Sequence, residues 1–352
     1  MSIAILLSGG VDSSVALKLL QEEGRSEITA FYLKIWLEDD AAFLGDCPWE
    51  DDLGYVRSVC DQAGVPLEII SLQSEYRERI VDFAVQELKA GRTPSPDIQC
   101  NERIKFGVFY DRIDSSYEIV ATGHYAQIGT DGSTDKLHLL RAPDPVKDQT
   151  YFLSRLSQGQ LQRICFPIGH LQKSEVRQHA EQFDLPNKTR KDSQGICFLG
   201  KVRFSEFVNY HLGEKPGKVI DKDSDRVLGP HKGYWYFTIG QRQGLGFHGG
   251  PWYVTGKDID SNIVYVSHAD RYRERARNRF KVHDLHWIAE PPDKRELQVR
   301  VRHGPTLTDC ILEMDENAGN VTMQHDDPGI APGQSAVFYD GEECLGSGVI
   351  AE

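Results

Sequence analysis

The chain has 352 residues, a formal net charge of −13, 39% apolar residues and 26% charged ones. That length exceeds one ordinary core and predicts two or three domains, while the composition excludes a low-complexity chain. No run approaches the roughly 18 apolar residues of a membrane helix. Met1–Leu7 lacks a basic leader and a cleavage site, so a cytoplasmic monomer is expected, an organelle matrix applying only if a leader was removed.

Residues 2–7 read as a buried strand, followed by a glycine turn and a helix over Val11–Leu20. Ile28–Ile35 predicts a strand, Asp52–Gly64 a helix, Leu67–Ser71 a strand, Glu75–Ala90 a helix and Glu118–Ala121 a strand. This alternation implies a parallel α/β sheet. A further helix is predicted over Lys173–Phe183, stopped at Leu185-Pro186. Beyond about residue 215 short alternating runs take over: Tyr234–Thr238, Trp252–Thr255, Ile263–Ser267, Leu297–Arg302, Cys310–Met314, Val321–His325 and Ser335–Tyr339. Turn pairs such as Gly319-Asn320 and Asp340-Gly341 separate them. The expected layout is an α/β domain over 1–202, a mixed linker domain over 203–275 and a small β-barrel over 276–352.

The charge is segregated. Seven carboxylates and no Lys or Arg lie between Glu38 and Asp52, whereas Arg271, Arg273, Arg275, Arg277, Arg279 and Lys281 face only Glu274. Spaced by two, that series would line one face of a strand and offer a track for phosphates. Lys188, Arg190 and Lys191 form a second basic group.

Ser8-Gly9-Gly10-Val11-Asp12-Ser13-Ser14 sits between a strand and a helix. Its glycines allow a sharp turn whose N–H groups converge on phosphate oxygens, and the helix amino terminus favours an anion. Asp12 makes sense there if magnesium bridges it to the phosphates. The lysine of GxxxxGK[ST] is absent, so this is not a Walker loop. SGGVDSS resembles the pyrophosphate loop of the N-type ATP pyrophosphatases, which cleave ATP between the α and β phosphates and adenylate an oxygen. A serine-capped turn into a helix is the ordinary alternative.

Seven cysteines (47, 60, 100, 165, 197, 310 and 344) include no CxxC pair, which argues against a zinc ribbon, a disulfide framework or an iron–sulfur cluster. Cys100 ends Thr93-Pro94-Ser95-Pro96-Asp97-Ile98-Gln99-Cys100. One helical turn there would set the Asp97 carboxylate beside the thiol, as proton acceptor and nucleophile. Cys197 lies near Lys188, Arg190 and Lys191, whose charge would favour the thiolate. Each is also readable as a packing residue, and the other five, which have no comparable setting, read as packing residues or bystanders.

Taken together, SGGVDSS, Ala90-Gly-Arg-Thr-Pro, Ala121-Thr-Gly-His-Tyr, Lys147-Asp-Gln-Thr-Tyr-Phe-Leu, Asp192-Ser-Gln-Gly-Ile-Cys-Phe, Gly240-Gln-Arg-Gln-Gly-Leu-Gly and Pro332-Gly-Gln-Ser-Ala-Val-Phe-Tyr run in one order along the chain. In that order they resemble the bacterial and organellar tRNA-specific 2-thiouridylases, the MnmA family. The resemblance implies that ATP, with magnesium, is held by Leu6, Leu7, Ser8, Gly9, Gly10, Val11, Asp12 and Ser13, with Leu33 and Gly123 framing the nucleotide. It implies that Ser95, Pro96 and Asp97 meet the wobble uridine of the tRNA, and that His124, Lys147, Asp148, Gln149, Arg302, His303 and Gln334 contact the tRNA. It assigns a persulfide to Cys197, loaded by a cysteine desulfurase or relay protein, and the second catalytic thiol to Cys100, the two closing a disulfide after transfer. His303 stands where the family commonly has an aromatic residue, and the 46–52 segment departs from the usual pattern. An amide-forming synthetase of the same superfamily and a non-catalytic tRNA-binding relative are the rival readings.

Overall fold

The computed structural model describes residues 2–35, 48–130, 132, 135–192 and 203–351. Cys47, Cys197 and residues 38–47 of the acidic segment lie outside them.

The first strands in the chain are β1 (Ser2–Leu6), β2 (Ile28–Lys34), β3 (Leu67–Ser71), β4 (Tyr117–Ala121), a hairpin of β5 (Ala126–Thr130) and β6 (Leu137–Arg141), and β7 (Ile164–Cys165). All but the hairpin form a parallel sheet in the order β3-β2-β1-β4-β7. Along β1 and β2 side chains fall alternately into two cores: Ala4, Leu6 and Phe31 on one face, Ile3, Ile5 and Ala30 on the other. Burial on both faces is why these strands read as continuous apolar runs. The order reverses between β1 and β4, and the carboxyl-end crevice at such a reversal is where an open α/β sheet takes its ligand. Helices α1 (Val11–Glu22), α2 (Pro48–Ala63), α3 (Pro96–Cys100) and α4 (Lys173–Gln182) surround that crevice or its approach. The predicted Glu75–Ala90 helix is interrupted by a wide π turn at Arg77–Val81, and a second such turn, Asn101–Val108, continues α3.

The middle unit is a four-stranded sheet of β8 (Gly217–Asp221), β9 (Val227–His231), β10 (Trp252–Asp258) and β11 (Ile263–His268), ordered β10-β11-β8-β9. Tyr234–Tyr236 is a 3-10 turn and not the expected strand. Its aromatics act as anchors: the Tyr234 hydroxyl donates to the Lys89 carbonyl and Trp235 Nε1 to the Gly213 carbonyl at 3.3 Å.

The last unit contains β12 (Arg277–Trp287), β13 (Glu296–Arg300), β14 (Thr308–Asp315), β15 (Ala318–Asp327), β16 (Ser335–Asp340) and β17 (Glu343–Ile350). They run β12-β15-β14-β13-β16-β17, and β17 returns to β12 with Ile350 opposite Val282, closing a six-stranded antiparallel barrel around Phe280, Val299, Leu312, Val321 and Phe338. The basic series does not lie on one strand. Arg271 is in a helical turn and Arg273 and Arg275 in a 3-10 turn, so only Arg277, Arg279 and Lys281 share the exposed face of β12.

Two contacts join the barrel to the first domain. Hairpin strand β6 adds to β17, with Leu139 opposite Cys344. Beside it, the Asp148 carboxylate accepts from Arg300 Nη1 at 2.6 Å, both side chains fully buried, with Thr150 Oγ1 donating to the other oxygen at 2.9 Å. The guanidinium also lies over the Tyr339 ring, 4.8 Å from its centroid. Replacing Asp148 by Ala strands a buried cation, so a loss of about 3–5 kcal/mol is expected in urea unfolding. Asp148→Ala combined with Arg300→Met should recover most of it. A single variant as stable as the parent would show the pair to be dispensable.

Candidate active site

The turn after β1 enters the crevice. Gly9 adopts φ +76°, and a side chain there would meet the Asp52 carbonyl and Arg190. Helix α1 begins at Gly10 without a side-chain cap, because Ser13 and Ser14 both donate back to the Gly10 carbonyl, at 3.1 and 3.0 Å. Its first-turn amides therefore remain available to an anion. Gly123, just past β4, packs directly on this turn: a Cβ would sit 2.6 Å from the Ser13 nitrogen. Leu6, Leu7 and Val11 direct their side chains into the core, so only their backbone can reach a ligand. Leu33 is half-buried near the end of β2.

The cation missing from the turn comes from elsewhere in the chain. Lys173, the first residue of α4, bridges Asp12 at 2.6 Å and Asp192 at 2.8 Å. Asp192 also receives Lys147 at 2.6 Å and Arg177. Burial opposes its charge, yet the Lys147 and Lys173 ammonium groups hold its carboxyl well below the usual carboxylate range. Arg190 pairs with Asp52 and donates to the Gly9 carbonyl at 3.0 Å, beside Asn187, which donates to the same oxygen at 2.9 Å. Tyr125 donates to Asp12 Oδ1 at 2.9 Å, and burial, then Asp12, push its phenol far up. Four cations thus face Asp12, Asp52 and Asp192 around the amino terminus of α1, an arrangement suited to a polyphosphate, while the Ser8 and Gly10 amides donate to the Ser13 and Ser8 hydroxyls at 3.3 and 3.4 Å. Sequence reading noted Arg190 only as part of a basic group and assigned no role to Lys173, Asp192 or Arg177. The missing Walker lysine was the one signal that a distant cation was needed.

Oδ2 of Asp12 takes no hydrogen bond among the described residues, leaving one oxygen for a metal. Among the described residues no three potential metal ligands converge.

A second cluster lies around α3. Pro96 at the helix start and a single turn bring Asp97 and Cys100 onto one helix, with the thiol only 2% exposed. The buried Tyr151 phenol, with Ser95 beside it, donates to the Ser335 carbonyl at 3.0 Å, and Asp97 lies close enough to His303 for its charge to be felt there. His303 stacks on Phe152 with centroids 4.6 Å apart and donates through Nε2 to the Asp148 carbonyl at 3.3 Å. Burial lowers its pKa, leaving a neutral ring that does the work of an aromatic. Arg302 pairs with Asp327, and Gln334 is half-buried beside the Ala331 turn. His124 sits at the end of β4 between Phe106 and Phe166, its Nδ1 2.8 Å from Thr122 Oγ1; burial, then Lys105, lower its pKa strongly.

In the 147–149 loop the Asp148 carboxylate is sealed against Arg300. Lys147 turns to Asp192 and Gln149 accepts from the Tyr125 backbone at 3.0 Å. Cys197, expected as the persulfide carrier, lies outside the described residues.

The domains match three families in chain order. Residues 1–201 match the one described as tRNA methyl transferase HUP domain, 205–268 the tRNA methyl transferase PRC-barrel domain, and 277–350 the aminomethyltransferase beta-barrel domain. At full length the chain is 43% identical to tRNA-specific 2-thiouridylase MnmA of Parabacteroides distasonis, covering 100% of this chain and 99% of that one. It is 44% identical to MnmA 1 of Bacteroides thetaiotaomicron, over 99% of each, and 41% identical to MnmA of Porphyromonas gingivalis, over 100% and 99%. The chain belongs to the MnmA family of tRNA-specific 2-thiouridylases.

Lys173→Met should weaken binding of a nucleoside triphosphate about 10- to 100-fold, as expected for a charged hydrogen bond of about 1.5–3 kcal/mol. Calorimetric titration reads this. Lys188→Met, which removes a cation held by Glu181 and Asp184 on the surface, should change it less than about twofold. Equal effects in the two variants would remove Lys173 from the phosphate site.

Proposed function

We propose that this protein is a tRNA 2-thiouridylase in which the β1–β4 crevice activates the uridine and the α3 segment completes sulfur transfer. The observation that carries the reading is the joint presence, in a full-length MnmA relative, of a lysine-supplied phosphate cradle and an Asp97–Cys100 turn beside a stacked His303–Phe152 pair. Ser95 and Pro96 would border the wobble uridine. Asp97 would accept its N3 proton, making the 2-oxygen nucleophilic toward the α-phosphorus of ATP, with pyrophosphate leaving. Lys173 and the α1 amides would stabilise the departing charge. Magnesium would be held through Asp12 and would screen the phosphates. Leu33 and Gly123 would frame the nucleotide.

Sulfur would arrive on Cys197 as a persulfide from a cysteine desulfurase or a relay protein. In one route its terminal sulfur attacks C2, AMP departs with the old oxygen, and Cys100 then attacks the Cys197 sulfur. In the other, Cys100 first releases hydrosulfide, which attacks C2. Both end with a Cys100–Cys197 disulfide, reduced by an external thiol before the next turnover. The neutral rings of His124 and His303, with Lys147, Gln149, Arg302 and Gln334, would contact the tRNA.

Cys197→Ser should take no persulfide and form no thiouridine, although adenylated tRNA still forms. Cys100→Ser should load sulfur on Cys197 yet fail to complete or repeat transfer. Mass spectrometry locates the sulfur and mercury-affinity gels report thiolated tRNA. Persulfide on Cys60, Cys165, Cys310 or Cys344, with Cys197→Ser still active, would overturn the cysteine assignment. ATP-dependent pyrophosphate release without thiolation would favour an amide-forming synthetase, and no release at all a binding-only relative.

A further inference from the structure

A cavity of about 430 Å³ opens where all three domains meet, bounded by Gly91 and Thr93 of the first, Thr255 and Lys257 of the second, and Arg277 and Pro332 of the barrel. Its walls are fixed by contacts across the domains. The Thr93 amide donates to the Pro332 carbonyl at 2.8 Å, and the Thr93 hydroxyl to Thr238 at 3.3 Å. Gly91 (φ +75°) lies so close to Ile259 that a Cβ would fall 2.6 Å from its methyl.

The charge on these walls is unbalanced. The Lys257 ammonium finds only the Phe237 carbonyl, at 3.0 Å, and no carboxylate among the described residues. Arg277 is exposed and forms no ion pair among them. Thr255 Oγ1 is buried with no hydrogen-bond partner. The other charged groups lining the cavity are already matched: Arg275 pairs with Asp223, and Asp327 with Arg302. A half-buried ammonium with a single carbonyl partner and a buried hydroxyl with none are costly in the empty protein and become favourable once an anion joins them. Burial alone brings Lys257 down to about 8, the behaviour of a cation lacking its counter-ion.

We propose that this cavity is a docking pocket for one nucleotide of the RNA substrate, adjacent in the strand to the target, its phosphate on Lys257 and Arg277. This rests on the tRNA reading above. The volume suits a nucleotide unit better than a lone phosphate, and Ile239, Ile259 and Ile330 give the sugar or base an apolar wall. Thr93 is two residues before Ser95, at most about 7 Å of chain, so the pocket lies next to the segment proposed to receive the uridine.

The test measures tRNA affinity against salt concentration for the full chain and for Lys257→Met, Arg277→Gln and Lys257→Arg. Lys257→Met and Arg277→Gln should each lower the slope of log K against log salt by about 1. Each should raise KM for tRNA about tenfold, with kcat and tRNA-free ATP binding within about twofold, and Lys257→Arg should retain the parental slope. Lys257→Met should not lower Tm, because it removes a half-buried charge that has no carboxylate partner among the described residues. A lower Tm with unchanged tRNA affinity would make the lysine structural and overturn the proposal. Inorganic phosphate binding that is lost in Lys257→Met while the tRNA slope stays parental would make the ligand a free anion, again overturning it. Loss of persulfide loading with normal tRNA binding would point to the sulfur-donor protein instead. A protein that binds tRNA with the predicted slopes yet never thiolates it would defeat the functional reading and leave the pocket standing.

Discussion

The buried pair between Asp148 and Arg300 sets the geometry on which both chemical regions depend. An unpaired charge in that position would be prohibitive, so the loop and β13 must dock together or not at all. Once Asp148 is held, its neighbours have no freedom of direction. Lys147 is delivered to Asp192 in the phosphate crevice, Gln149 to the Tyr125 backbone after β4, and the Asp148 carbonyl to His303. Three consecutive residues thus connect the barrel, the nucleotide crevice and the stacked rings near Asp97. The addition of β6 to β17 makes the same junction through backbone pairing.

The crevice meets a different electrostatic problem. Four cations near a turn that already presents positive dipoles would repel one another when no ligand is bound. Asp12, Asp52 and Asp192 solve this by acting as resident counter-ions, each facing a lysine or arginine that a phosphate can also use. Tyr125 completes the set, keeping its proton and donating it to Asp12. Where a Walker loop would carry its own lysine, this turn has Lys173 beside it, brought by a helix 161 residues away from Asp12.

How much of this was legible in the sequence depended on whether the determinant was local. The strand–glycine–helix unit at the amino terminus was legible because burial on both faces of β1 leaves an unbroken apolar run. The three-residue spacing of Asp97 and Cys100 suggested a shared helical turn, but the two prolines read as an extended loop, whereas Pro96 opens the helix. The hairpin β5–β6 and the closing strand β17 were not. β17 carries Gly346 and Gly348 where a Cβ would meet the His286 carbonyl and Leu285, so close backbone approach replaces the alternation that marks a strand. The Arg271–Arg279 series had the period of a strand, but the chain leaves β11 through helical turns before β12 begins, and the pattern belongs to three elements. Asp148 had the look of a polar loop residue; its partner lies 152 residues further on, and no local signal distinguishes a solvated aspartate from one that will be buried against an arginine.

That contrast between local and distant determinants explains how a chain of net charge −13 can serve a polyanionic substrate. Net charge governs long-range steering, which salt screens within about 8–10 Å. Short-range recognition depends on which cations lack a partner. In the phosphate crevice every cation named has a carboxylate or carbonyl to release, so binding there is an exchange of partners and its gain is moderated by what is given up. At the three-domain junction Lys257 and Arg277 have no carboxylate to release among the described residues. An anion docked there as proposed would gain interaction energy without first breaking an ion pair. Local imbalance of this kind outweighs an unfavourable total charge, because the carboxylates that make the chain acidic are placed elsewhere or already engaged.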